Sequence, residues 1–243
     1  MQRQSRFTGI NRSSRMRLLL LALFAGSLTP LYAIDPIFSF DFTTQPSGSA
    51  LPWLKQQGFQ FKLGVEAMNP RFEKGSLVLS TERPEAGVLG YIFTKGSELS
   101  GVERLRLVWG VSKFPDGADW ERGTNRTAIA VMVSFGHERL SSGLPFGLFA
   151  APYFISPFIG AKEIEGKTYT GKFWKKGGRY FCVKSPNVGD VVVTDLNVDQ
   201  LFKKLFNKTP TPPVTAIGIQ MNTKGTEGKA AAFIRRIEFL PGS

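Results

Sequence analysis

The sequence predicts an all-β protein, a jelly-roll-like antiparallel β-sandwich with one short docked helix. Three observations carry that expectation. Short runs of alternating apolar and polar residues recur along the chain, which is the period of a strand with one buried face. Clusters of Gly, Pro, Asn and Asp separate these runs. A single segment near the C-terminus has the helical period instead.

Residues 1–33 precede this pattern and read as an export signal. Arg3, Arg6, Arg12, Arg15 and Arg17 form a basic leader without an acid. Leu18 to Ala25 is an apolar core too short to span a bilayer, which takes about 20 residues. Gly26, Ser27 and Pro30 break it, and Ala33 supplies the cleavage position. The mature chain then runs over 34–243 as one domain, a length that suits a single sizeable core. No second long apolar stretch follows, so no transmembrane helix is expected after cleavage.

The strands follow in order. Phe38 to Phe42 and Phe59 to Leu63 alternate apolar and polar residues, as does Leu105 to Trp109 in part. Leu77 to Leu79 and Val88 to Phe93 add two more. Ala128 to Phe135 is almost continuously apolar, which suits a strand buried on both faces. Arg179 to Lys184, Val191 to Val193, Ala216 to Met221 and Ala230 to Leu240 complete the set. Leu140 to Ala161 departs from the pattern. It carries no charge, yet Pro145, Pro152 and Pro157, with several glycines, argue against a regular strand over its length. It is expected to be an apolar loop. It either folds down as a lid on the core or presents 144–159 as a surface for an envelope partner.

The helical segment is Val198, Leu201, Phe202, Leu205 and Phe206, at i, i+3, i+4, i+7 and i+8. Asn197 caps its start and Gln200 follows three residues on. Lys203, Lys204 and Lys208 suit the negative end of the helix dipole, and Pro210 stops the helix. Too short to stand alone, it must lay its stripe on the sandwich. Many long strands with one docked helix favour a jelly roll over the smaller immunoglobulin-like form.

Charge and cysteine content narrow the setting. Five of the 31 Lys and Arg and none of the 19 acids fall in the leader, leaving 26 against 19, a net charge of +7. A basic exported protein meets acidic polysaccharide, anionic lipid or another anionic envelope component rather than nucleic acid. Cys182 is the single cysteine, so the fold has no internal disulfide. Its apolar strand context predicts a buried, inert thiol.

Motifs for catalysis are sparse. His137 is the lone imidazole, so no His cluster for zinc exists. His137 and Tyr153 are the weak candidates for a general acid or base. Asp116, Asp119 and Glu121 share a turn, but their spacing matches no calcium loop and Arg122 opposes a cation. Asp190, Asp195 and Asp199 are further carboxylates for a glycosidase pair, and the dipole of the helix start explains the last two. Lys175 to Arg179 lacks the spacing of a phosphate-binding loop. No metal or cofactor is expected. Trp120, in a polar turn, and Trp174, among Lys172, Lys175 and Lys176, are the candidate platforms for stacking a sugar. Trp109 reads as core, and Trp53 as either.

The run Leu105 to Val111, ending in Pro115 and then Asp119, resembles the core strand and turn of a bacterial exported family. That family is catalogued as a domain of unknown function (number three-oh-four-seven). Leu77 to Ser80, Ala128 to Phe135, Tyr153-Phe154, Asn187 to Phe206, Ala216 to Thr226 and Ala231 to Phe239 fall in the same order. The resemblance covers the chain from about Leu51 and implies an exported β protein with no established activity. It also implies an acidic pair before the buried strand and a late Asp-x-Asp-x-Thr element. This chain has Asn125-Arg126 and Asn222-Thr223-Lys224-Gly225-Thr226 in those places. Arg126 and Lys224 would repel a cation and attract an anion. The sequence therefore points to a non-catalytic periplasmic or secreted carbohydrate-binding module, with Trp120, Arg126, Trp174 and Lys224 holding an acidic glycan. The alternatives are a polysaccharide lyase or glycosidase using His137 or Tyr153, and a structural envelope protein using the apolar segment.

Overall fold

The computed structural model describes residues 34–143 and 150–242. The export signal and the part of the apolar segment at 144–149 lie outside the described residues. The strands are β1 (Phe38–Asp41), β2 (Gly48–Ser49), β3 (Gln60–Leu63), β4 (Arg71–Glu73), β5 (Ser76–Thr81), β6 (Ala86–Ile92) and β7 (Val102–Lys113). They continue with β8 (Thr127–Ser141), β9 (Ala150–Ile159), β10 (Thr168–Tyr169), β11 (Gly178–Lys184), β12 (Val192–Asn197), β13 (Val214–Asn222) and β14 (Ala230–Pro241).

Two sheets stack as a jelly-roll-like sandwich. The first runs β12–β7–β14–β5–β4–β2, with β1 also paired to β14. The second runs β10–β11–β9–β8–β13–β6–β3. The core fills the space between them, and the alternation in the sequence decides which side chains enter it. From the first sheet come Leu105, Leu107, Trp109 and Val111 of β7, with Ile234, Ile237 and Phe239 of β14. The odd spacing in β14 reflects a register shift between Ile234 and Arg236, a bulge that returns the apolar side chains to the core. From the second sheet come Leu89, Ile129, Val131, Val133, Phe135, Ile217, Ile219 and Met221. Trp109 is fully buried and its indole N–H donates to Thr194 Oγ1 at 3.0 Å, so the one polar atom on that ring is satisfied.

The predicted helix is α2 (Val198–Phe206). Asn197 Oδ1 accepts the Gln200 N–H at 2.8 Å, and Asn207 closes the other end in the left-handed region at φ 50°. Its stripe docks by rings: Phe202 meets Phe135 at 4.9 Å, and Phe206 meets Tyr153 at 4.9 Å. Phe202 is fully buried. A second helix, α1 (Leu51–Gln56), has no counterpart in the sequence reading. A helix of six residues, fewer than two turns, is too short for a period to show. Pro52 starts it, Leu54 is its buried anchor, and Trp53 packs edge-on to Phe42 at 5.8 Å and Phe72 at 5.4 Å.

Two further points correct the expectation. The sandwich is not wholly antiparallel, since β9 and β11 pair in parallel. The described part of the apolar segment is not a loop but β9, an interior strand of its sheet. Pro152 is tolerated there because it falls opposite the register shift between Phe135 and Leu140 of β8. Pro157 sits within the strand beside Phe181 of β11, where the ladder forgoes one donor. Phe154, Ile155, Phe158 and Ile159 are all buried, so this stretch is core rather than an exposed lip.

Gly110 of β7 sits beneath the Phe233 ring and the Asp190 carbonyl, and a methyl group there would overlap both. Gly110→Ala is expected to destabilise the fold by about 2–3 kcal/mol in urea denaturation. Phe202→Ala, which removes the anchor of α2, is expected to cost about 3–5 kcal/mol in the same measurement.

Candidate functional site

The outer face of the second sheet is part roofed and part open, and both parts follow from residue size. Under the roof lie Ala130 of β8, Phe158 of β9, and Tyr180 and Cys182 of β11. The roof itself is the stretch between β7 and β8, whose Trp120 packs at 4.8 Å from Phe158, 4.8 Å from Tyr180 and 5.6 Å from Tyr169. Glu163 fastens it. This buried carboxylate accepts the backbone N–H groups of Trp120 (3.2 Å), Ala161 (2.8 Å) and Lys162 (3.1 Å). Trp120 is thus no platform for a sugar: its ring is buried, and its indole N–H donates to the Arg126 carbonyl at 2.9 Å.

The acidic turn serves the same roof. Asp119 meets Lys162 at 3.0 Å and Glu121 meets Lys167 at 2.5 Å, while Tyr169 O–H donates to Glu121 at 2.7 Å. Hydrogen bonding to Lys162 holds the Asp119 carboxyl below the usual range, and hydrogen bonding to Lys167 and Tyr169 does the same for Glu121. Burial, helped by the bond to Glu121, pushes the Tyr169 phenol up, and burial pushes Tyr180 up to about 12. Burial also raises the Cys182 thiol, as suits an inert core cysteine.

Beyond the roof the sheet is an open groove of about 360 Å³. Its floor is made by the outward residues of three neighbouring strands: Met132 and Ser134 of β8, Ala216 of β13, and Val88 and Gly90 of β6. Gly90 and Ala216 keep that floor low. Lys62 of β3 stands at one side, and His137 and Arg139 stand on the far stretch of β8. Among the described residues, no Asp or Glu lines the groove. Gly136, at φ 67°, turns β8 just before His137. The imidazole is largely exposed, and its Nε2 lies 3.3 Å from Glu98. Arg139 donates to the Ala150 carbonyl across the strand pair.

Of the residues singled out from sequence, the structure brings some together and separates others. Arg126 Nε donates to the Lys224 carbonyl, so these two residues are neighbours at the end where β8 begins and β13 closes. Trp174 stands apart, in the left-handed region at φ 65°, with its N–H on the Ser142 carbonyl at 2.8 Å and its ring edge-on to Phe154. None of Trp120, Arg126, Trp174 and Lys224 lines the groove. His137 and Tyr153 do share a hollow of about 530 Å³ next to the C-terminal end of α2, with Lys208 placed 5.0 Å over the Tyr153 ring. Asp195 is held by Arg104 at 2.5 Å and Arg106 at 3.0 Å, and Asp199 by Lys203 at 2.7 Å. Among the described residues, no three of His, Cys, Asp and Glu converge as a metal site would require. Lys62 and Glu163 were missed by the sequence reading. Lys62 is the polar partner in an alternating strand, and that alternation is the signal that would have found it.

No family model matches the chain, and no curated protein matches it. Among solved structures it is similar to wild-type ENZbleach xylanase, at 11% identity over 88% of this chain and 94% of that one, with a TM-score of 0.39. It is also similar to the catalytic domain of Humicola grisea Cel12A, crystallised with a soaked thio cellotetraose. There the identity is 11% over 83% of this chain and 98% of that one, with a TM-score of 0.38.

Trp120→Ala is expected to cost about 3–5 kcal/mol of stability, as for a core residue. Acid should release the same roof. The Asp119 and Glu121 carboxyls titrate lower when folded than unfolded, so their contribution is complete above the unfolded carboxylate pKa of about 4 and is lost as pH falls through the folded values. Tryptophan emission followed across an acid titration should hold steady to about pH 5 and then shift toward that of an exposed indole.

Proposed function

We propose that the mature chain is an exported, non-catalytic binding module whose open groove takes an acidic glycan or another anionic envelope component. The observation that carries this reading is the lining of the groove. Lys62 and Arg139 border it with His137; Glu98 meets the His137 imidazole at 3.3 Å from outside the lining, and among the described residues no carboxylate lines the groove beside Lys62 and Arg139. An anionic chain laid along the floor would meet cations at its margins and only small or apolar side chains beneath. A glycosidase needs two carboxyl groups facing each other across about 5–9.5 Å, and this groove offers none. The basic leader and apolar core at 1–33 support export, and the order of the strand motifs supports a divergent member of the exported family of unknown function.

The binding site of this proposal is Lys62, His137 and Arg139, in place of the four residues chosen from sequence. Binding of oligogalacturonate by the mature protein, followed by calorimetry, tests it. Lys62→Glu with Arg139→Glu should weaken binding roughly tenfold, and added salt should weaken the parent in the same direction. Unchanged affinity in the double variant would remove the groove as the site.

A second reading has one observation in its favour. His137 and Tyr153 share a hollow with Lys208, whose ammonium also meets Glu138 at 3.1 Å; this would suit β-elimination on a uronate, with one of the first two removing the proton, the other protonating the departing glycosidic oxygen, and Lys208 meeting the substrate carboxylate. Release of unsaturated uronate by the parent and its loss in Tyr153→Phe would favour the lyase over the binding module.

A further inference from the structure

The strongest unassigned feature is the turn between β10 and β11. Lys172, Lys175 and Lys176 line a recess of about 360 Å³ with Ser141, Ser142 and Gly143, and no carboxylate shares it. All three lysines are exposed. The turn is held rather than loose. Trp174 N–H donates to the Ser142 carbonyl at 2.8 Å, the N–H groups of Gly177 and Gly178 both reach the Trp174 carbonyl, and Arg179 Nη1 donates to the Lys175 carbonyl at 2.9 Å. Arg179 is fixed in turn over the Phe206 ring at 5.2 Å. Three ammonium groups are therefore presented together on an ordered backbone.

The same turn carries an apolar group facing water. Phe173 is 39% exposed, between Lys172 and Trp174, with the Lys172 ammonium 5.7 Å from its ring centre. A water-facing aromatic flanked by lysines matches the chemistry of a membrane interface, where the ring enters the headgroup layer and the ammonium groups meet lipid phosphates. A sugar would instead need an open ring face, and the Trp174 ring is half-buried and set edge-on to Phe154. Lysine suits this occupant as well, because a compact ammonium acts as a point charge toward phosphate without a required orientation.

We propose that the Lys172–Lys176 turn docks the protein on an anionic phospholipid surface, through the three lysines and the Phe173 ring. The site is distinct from the groove and does not depend on the groove binding a glycan.

The test uses the mature protein with vesicles of phosphatidylglycerol in phosphatidylcholine, against vesicles of phosphatidylcholine alone. The parent should sediment with the anionic vesicles, be released by salt, and shift its tryptophan emission to the blue as Trp174 meets the interface. Lys172→Glu with Lys175→Glu and Lys176→Glu should lower the partition coefficient about a hundredfold. The neutral triple glutamine variant should fall between that variant and the parent, which keeps the test valid if the charge reversal disturbs folding. Phe173→Ala should weaken binding and leave its salt dependence in place. Lys62→Glu should bind vesicles as the parent does, which separates this site from the groove. Equal binding to neutral vesicles, or undiminished binding by both triple variants, would overturn the proposal. So would oligogalacturonate binding lost in the triple variants while vesicles are ignored, since that would give the turn to a glycan.

Discussion

The structure depends on β8 being apolar on both faces. Its inward residues Ile129, Val131, Val133 and Phe135 enter the core between the sheets. Its outward residue Ala130 lies beneath Trp120. A strand of this kind needs a cover on its second side, and the chain supplies one from the loop that leads into it. Glu163 makes the cover durable. A buried carboxylate without partners would be costly, but three backbone N–H groups converge on this one and tie two loops to the sheet.

Where that cover stops, the groove begins. No wall had to be added to make it. The change to small side chains along β6 and β13 lowers the floor. The positive margin arises in the same economical way, because Lys62 is the solvent-facing member of an alternating strand. Four of the acids that the sequence singled out are engaged elsewhere: Asp119 and Glu121 in the roof, Asp195 and Asp199 at β12 and α2. The result is a sheet face whose open groove is bordered by cations although the chain as a whole carries many carboxylates.

The legible and illegible parts of this protein divide along physical lines. Long strands with one or two buried faces announced themselves by period, and α2 did so by its stripe, its Asn197 cap and its basic last turn. Features of two or three residues, such as β2 and β10, are shorter than any period and left no trace. β9 was hidden by Pro152 and Pro157, which local rules read as breakers; the bulge on β8 accommodates the first, and the ladder to β11 forgoes one donor at the second. The site was harder. Trp120 sits in a polar turn, and composition gave no hint that Glu163, distant in sequence, would draw that turn onto the sheet. Exposure is a property of the assembled sheet, so Trp120, chosen as a platform, was used by the fold as packing, and Trp174 was left half-buried.

The sheet borders carry one more consequence. A bare border is a template on which another copy can add a strand, and β2, β3 and β10 limit that hazard by being two to four residues long. β12 is longer, at six residues, and Val193 within it and Val191 just before it are exposed. There the guard is electrostatic. Asp195, clasped by Arg104 and Arg106, sets a fixed cluster of charge on this longer border, and so discourages fibre growth from it.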